Sequence, residues 1–170
     1  MKSIVIGEAL SRRNFLATTA TLSAGTVALL AGNSALAQGM AGNAAADVGI
    51  LNVALNLEHE AINAYQLGAA SGLLQKPVLD IAVGFQSHHK AHRDALIATI
   101  QKLGGKPVEE KKLDDYAKAL NASALKSQSD VLDLAARLEL GATNAYLGVI
   151  PSFKDTALAK VAARLAADET

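Results

Sequence analysis

The sequence has no cysteine and no tryptophan, and its 170 residues include only three prolines, three phenylalanines and three tyrosines. The missing cysteine excludes disulfide frameworks, thiolate metal sites and a Cys nucleophile, so any metal must be held by oxygen and nitrogen. Few aromatics beside many Ala and Leu favour helices over a sheet, since strands are enriched in β-branched and aromatic side chains. There is also no surplus of one charge: 16 basic residues face 16 acidic ones. That balance offers no electrostatic case for nucleic acid. What is present is apolar bulk, 51% of the chain, enough for one compact domain to fold unaided.

The first 37 residues read as an address. Ser11-Arg12-Arg13-Asn14-Phe15-Leu16 sets paired arginines before a weakly hydrophobic run that ends in Ala35-Leu36-Ala37. The pattern resembles a twin-arginine export signal with a small-residue cleavage site after Ala37, and implies a periplasmic or otherwise exported protein. Phe15 to Leu36 is long enough to suggest a membrane anchor, but its hydroxyls and glycines make it a poor one, so no stable insertion of the mature chain is expected. Cleavage removes three basic residues and one acidic, leaving 13 against 15. Twin-arginine export carries folded proteins, often with a cofactor loaded, so the resemblance favours a cofactor. Residues 38–46, rich in Gly, Asn and Ala, read as a flexible linker, and 47–170 as the folded domain.

That domain carries an internal repeat. Leu57-Glu58-His59-Glu60-Ala61-Ile62-Asn63-Ala64-Tyr65 returns in outline as Leu138-Glu139-Leu140-Gly141-Ala142-Thr143-Asn144-Ala145-Tyr146, both reading L-E-x-x-A-x-N-A-Y. Helical periodicity puts Glu58 in the middle of an apolar stripe with Leu51, Ala54, Leu55, Ala61, Ile62 and Tyr65. Glu139 takes the same place among Leu132, Ala135, Ala136, Ala142, Thr143 and Tyr146. His59 and Glu60 point away from the stripe, where with His88 they read as a solvated face rather than a satellite metal site.

Four helices are expected. The first runs from Asp47, a plausible N-cap, to about Ser71-Gly72; the second from Pro77 to Leu103, stopped by Gly104-Gly105. The second helix's inward stripe is Ile81, Phe85, His89, His92 and Leu96, with two imidazoles where packing alone would place Leu or Val. A crossover from Lys106 to Lys126 holds one short helix near Leu113 to Leu120, and its charged run Glu109 to Asp115 reads as solvated loop. The third helix spans about Ser129 to Ile150. A fourth begins near Asp155 with Leu158, Val161, Ala162, Leu165, Ala166 and Glu169 inward, and stops at Thr170 in mid-pattern, as a truncated helix would.

Two helix pairs joined by a long crossover describe an all-α, ferritin-like four-helix bundle, with the crossover between helices 2 and 3. From Asp47 onward the chain resembles exported ferritin-like domain proteins, and through them the di-iron and di-manganese carboxylate superfamily. The superfamily pattern is one Glu from each of two helices and a Glu-x-x-His from each of the other two. Carried over, Glu58 and Glu139 match the lone glutamates, and His89-Lys90-Ala91-His92 matches a Glu-x-x-His with His89 in the glutamate's place. Glu169 supplies the last glutamate, while its histidine partner would fall two positions beyond Thr170.

The candidate metal ligands are therefore Glu58, His89, His92, Glu139 and Glu169. An imidazole offers one neutral nitrogen and cannot bridge two cations as a carboxylate does, so His89 biases the site toward a single ion. Iron or manganese, mononuclear or dinuclear, is implied by the resemblance; zinc is allowed by ligand type. The implied role is metal binding with redox chemistry on oxygen or peroxide, which in an enzyme would be a metal-dependent oxidoreductase. The alternative is a metal-free structural or partner-binding bundle of the cell envelope, related to stress. Iron storage in a cage is the weakest reading, because nothing in the sequence marks an assembly surface; the oligomeric state, a dimer included, stays open. Tyr65 and Tyr146 read as packing residues with each hydroxyl on a polar partner.

Overall fold

The computed structural model describes residues 43–169. The export segment of residues 1–37, and most of the linker, lie outside the described residues. Within them there are five α-helices and no strand: α1 (Asn43–Ala70), α2 (Lys76–Lys102), α3 (Leu113–Ala119), α4 (Gln128–Val149) and α5 (Thr156–Asp168). Helices α1, α2, α4 and α5 form the bundle, and α3 rides on the crossover.

Local chemistry sets the helix ends. Pro77 occupies the first turn of α2, where its missing N–H costs nothing. At the other end Gly104 takes a positive φ of 78° and the Gly105 amide returns to the Ile100 carbonyl at 2.9 Å, a glycine C-terminal stop. Ser127 caps α4 by accepting from the Asp130 amide, and Asp155 caps α5 by accepting from the Ala157 amide.

Helix α1 already includes Asn43, four residues ahead of the expected start, because Ala44-Ala45-Ala46 are strong helix formers. Asp47 is therefore not an N-cap. Its buried carboxylate accepts from the backbone amides of Lys154 and Asp155 at 2.8 and 3.0 Å, pinning the start of α5 to α1.

Helices α1 and α4 run antiparallel and in close contact. A Cβ added to Gly68 would lie 2.9 Å from a Val131 methyl, so glycine permits the approach. The core gathers Leu51, Ala54 and Leu55 of α1, Leu96 and Ile100 of α2, Tyr146 of α4, and Ala162, Leu165 and Ala166 of α5.

Expectations of burial are corrected at six residues. Ile81 and Phe85 are 58% and 48% exposed rather than inward, and Leu132 and Val161 are exposed as well. Helix α5 has 13 residues against 27 in α2. Its described residues share the core with Leu96 and Ile100 of α2, a cluster that does not include Ile81 or Phe85. Conversely, His59 and Glu60 are buried rather than solvated.

The reason for that burial is the path of the crossover, which climbs along α1. Asn52 donates to the Lys106 carbonyl and accepts from the Val108 amide, His59 Nε2 lies 3.4 Å from the Val108 carbonyl, and Asn63 donates to Glu110 at 2.6 Å. Glu110 is thus tied to α1 rather than free in a solvated loop. Of the three residues of the candidate satellite site, His88 alone is exposed.

Candidate metal centre

The repeated L-E-x-x-A-x-N-A-Y segments meet across the α1–α4 interface. Each places a glutamate and a tyrosine seven residues apart, two helical turns along one face. The antiparallel register then pairs them reciprocally: Tyr146 donates to Glu58 at 2.5 Å, and Tyr65 donates to Glu139. Both tyrosine hydroxyls have the polar partner expected of them.

Helix α2 adds the imidazoles. His89 spans the two acids, with Nδ1 2.9 Å from Glu58 Oε2 and Nε2 3.3 Å from Glu139 Oε1. Its Nε2 also lies 3.7 Å from Glu169. One turn on, His92 Nδ1 faces Glu169 Oε1 at 3.2 Å and Glu58 Oε1 at 3.7 Å, and its Nε2 lies 3.6 Å from Asp168. Helix α5 delivers Glu169 at its last turn. All five sequence-derived residues are therefore brought together, from four helices.

They are not equivalent. Glu58, His89, His92 and Glu169 each offer a donor atom within 4.8 Å of the others, a grouping that could hold one ion. Glu139 stands outside that tight set, joined to it through His89 and more open, its side chain 21% exposed against 2% for Glu58.

The electrostatics follow from this crowding. Burial works to raise the pKa of Glu58, but His89, the nearby His92 imidazole and the Tyr146 hydroxyl prevail and hold the carboxylate below its usual range. Burial opposes protonation of His89, yet its bonds to Glu139 and Glu58 push the imidazole up to about 10. The carboxylates of Glu169 and Glu58 beside its ring raise His92 to about 10 as well. Burial drives Glu169 up to about 7, helped by Glu139 and Glu58 and resisted by His92. Glu139 goes the other way, to about 2, because His89, Glu169 and Tyr65 outweigh its burial. Without a cation the acid pair therefore keeps a proton on Glu169, which donates toward Glu139. Burial, then the negative charge beside them, push Tyr65 and Tyr146 far above the ordinary phenol value.

A cation fits the donor set on one specific ground. His92 Nδ1 and Glu169 Oε1 are both buried, have no hydrogen-bond partner among the described residues, and face each other. A nitrogen and a carboxylate oxygen left so, beside Glu58 and His89, is the arrangement a divalent ion completes, since buried polar atoms otherwise find partners.

The sequence model of the ferritin-like domain matches residues 46–170. The chain belongs to the ferritin-like domain family. Among curated proteins and among solved structures no significant match is found. Within this ferritin-like domain the reciprocal tyrosines brace Glu58 and Glu139.

Sequence reasoning placed Phe85 on the stripe of His89 and His92 but did not single out Leu140 or Asp168 as neighbours of the site. Phe85 and Leu140 line an opening beside Glu139, and Asp168 reaches His92. For Leu140 the sequence carried no signal beyond an apolar side chain next to Glu139. Asp168 was legible only as the neighbour of Glu169.

Proposed function

We propose that this ferritin-like domain is an exported protein holding one transition-metal ion, iron or manganese, through Glu58, His89, His92 and Glu169, with a redox role toward oxygen or peroxide. The observation that carries this reading is the facing pair His92 Nδ1 and Glu169 Oε1, 3.2 Å apart, buried and without hydrogen bonds. Oxygen and nitrogen donors of this mix suit iron and manganese, and zinc by ligand type. A single ion is favoured over two because His89 replaces a bridging carboxylate with an imidazole. When bound, the ion supplies one-electron chemistry to a small oxidant.

The chain's own residues prepare the centre. Tyr146 fixes Oε1 of Glu58 and His89 approaches Oε2, so this acid is oriented before any ion arrives. Glu169 keeps a proton near neutral pH, and releasing it frees both oxygens. Glu139, held by Tyr65 and His89 and more open than Glu58 or Glu169, is a station for protons moving to and from the centre.

Export rests on Arg12-Arg13 and on Ala35-Leu36-Ala37. Changing both arginines to lysine is expected to retain the precursor in the cytoplasm; an exported, cleaved variant would refute this part. Metal analysis of protein purified from its native compartment tests the rest. About one ion per chain, lost in Glu169→Gln, supports the reading, and a metal-free native preparation overturns it.

One observation favours a second reading, a metal-free bundle of the envelope. His89 alone gives both Glu58 and Glu139 a partner, at 2.9 and 3.3 Å, so the charges have an internal counterpart. Under that reading Glu58→Leu stabilises the fold by replacing a buried charge with packing. Under the metal reading the same change abolishes ion uptake.

A further inference from the structure

A second pair of donor atoms meets away from the first centre, where the crossover lies along α1. His59 is almost wholly buried there, its side chain 4% exposed, and its two ring nitrogens have different surroundings. Nε2 lies 3.4 Å from the Val108 carbonyl. A carbonyl can only accept, so Nε2 carries the hydrogen and Nδ1 is left with its lone pair. Nδ1 has no hydrogen-bond partner among the described residues and faces Glu110 Oε2 at 3.9 Å.

Those two atoms are both acceptors. Burial lowers the pKa of His59 below its ordinary value, so the ring is uncharged at neutral pH and has no second hydrogen to offer the carboxylate. The other oxygen of Glu110 is already committed: Oε1 accepts from Asn63 Nδ2 at 2.6 Å, and the same Asn63 nitrogen donates to the His59 carbonyl at 2.8 Å. The carboxylate is thus held with Oε2 turned toward the imidazole. A lone pair and an anionic oxygen set face to face repel unless a positive charge lies between them.

Charge and spacing define the occupant. The negative charges of Glu110, Glu60 and Asp115 all act on the buried Tyr116 beside this seam. Arg93, whose charge also reaches His59, is itself engaged 2.8 Å from Asp94, and Lys111 and Lys112 are exposed. Bonds of about 2.1 Å to nitrogen and oxygen put two donors on one ion about 3.4 Å apart at the tetrahedral angle, and at most about 4.2 Å apart. The observed 3.9 Å lies inside that range, and the Glu110 side chain, 39% exposed, has room to close it. An imidazole that donates its far N–H to a backbone carbonyl is also how metal-ligating histidines are held.

We infer that His59 Nδ1 and Glu110 Oε2 hold a second divalent ion of zinc's kind, with water filling its remaining positions, and that this ion fastens the crossover to α1. A nitrogen beside a carboxylate oxygen selects such an ion over calcium or magnesium, which take oxygen donors. With two protein ligands the ion exchanges readily and is removed by desalting, so it is not counted in the metal retained at the first centre. The site shares no ligand with that centre and does not rest on it.

The test titrates zinc into the chelator-stripped full chain and follows the ring nitrogens of its four histidines by NMR. His59 Nδ1 is expected to shift saturably while Nε2 keeps its bond to Val108, and amide exchange across residues 108–111 to slow. Glu110→Gln is the deciding variant. Its oxygen can still accept from Asn63, while an N–H replaces the oxygen that faces Nδ1, so the fold is kept and the ion loses a ligand. Zinc binding at His59 is expected to weaken at least about tenfold, as loss of even an outer partner of a metal site does. The melting temperature of the metal-free variant is expected to hold or rise, because Nδ1 gains a donor. No saturable shift at Nδ1, or an unchanged one in Glu110→Gln, overturns the proposal. So does a fall in the metal-free melting temperature, which would mean that Glu110 was already paired with a protonated His59. A zinc response at His89 and His92 without one at His59 refutes the second site alone, and the reverse refutes the first centre alone.

Discussion

Tyr146 donates its hydroxyl hydrogen to Oε1 of Glu58 across the α1–α4 interface, and the repeat returns the same bond in mirror order from Tyr65 to Glu139. The duplicated motif is thus two halves of one cross-braced unit, in which each helix orients the other's acid. Removing the Tyr146 hydroxyl tests the brace. Tyr146→Phe keeps the ring in the core and deletes one bond to a buried carboxylate, so a loss of about 2 kcal/mol is expected by denaturant unfolding of the metal-free protein. A change below about 0.5 kcal/mol would mean that the hydroxyl does not hold Glu58 in place.

The imidazoles predict opposite responses of stability and metal affinity to pH. His89 and His92 have folded-state values near 10, above the ordinary 6.5, so their contribution to metal-free stability is complete below pH 6.5 and lost as pH rises toward 10. Metal competes with those same protons, so affinity rises over the same interval. Glu58 and Glu139, both depressed, act at the acid end: their contribution is present above about pH 4.5 and lost as pH falls below it. Melting temperatures of the chelated protein and zinc affinities, measured from pH 6 to pH 10, check both trends together. Parallel rather than opposed trends would contradict the assignment.

Asp47 ties the first helix to the last. Its carboxylate accepts two backbone amides from the α5 turn while almost fully buried. Asp47→Ala removes two charge-assisted bonds and leaves two donors without a partner, so a loss of about 3 kcal/mol is expected in equilibrium unfolding. Because α5 carries Glu169, the variant is also expected to bind zinc more weakly than wild type by calorimetry.

The crossover has its own fastening. Asn52→Ala removes the acceptor of the Val108 amide and the donor to Lys106. Hydrogen exchange at Val108 is expected to accelerate about tenfold while amides of the α1 centre keep their protection. Unchanged exchange at Val108 would show that the crossover is held elsewhere.

These cases also mark what the sequence could and could not convey. Glu58, His89, His92 and Glu139 were legible because helical periodicity alone puts each on a face, and the bundle made those faces converge. The ends of α2 were legible for a local reason as well, since Pro77 and Gly104 act within one turn, whereas the Ser127 cap of α4 was not singled out. His59 and Glu60 misled because their burial depends on where the crossover travels, and nothing periodic in residues 103–127 encodes that path. Ile81 and Phe85 misled in the opposite sense: their stripe is apolar, but burial needs a neighbour and among the described residues they stay exposed. Asp47 reads locally as a cap, whereas its partners lie more than 100 residues away.

The central claim is that the donors of α1, α2 and α5 hold one ion, and that Glu139 supports the site from beside it. Metal content per chain after equilibration with manganese or zinc, compared for wild type, Glu169→Gln and Glu139→Gln, tests it most directly. The account predicts about one ion in wild type, none retained in Glu169→Gln, and an ion retained with weaker affinity in Glu139→Gln. Wild-type protein that takes up no ion, or a Glu169→Gln variant that binds as well as wild type, would contradict it.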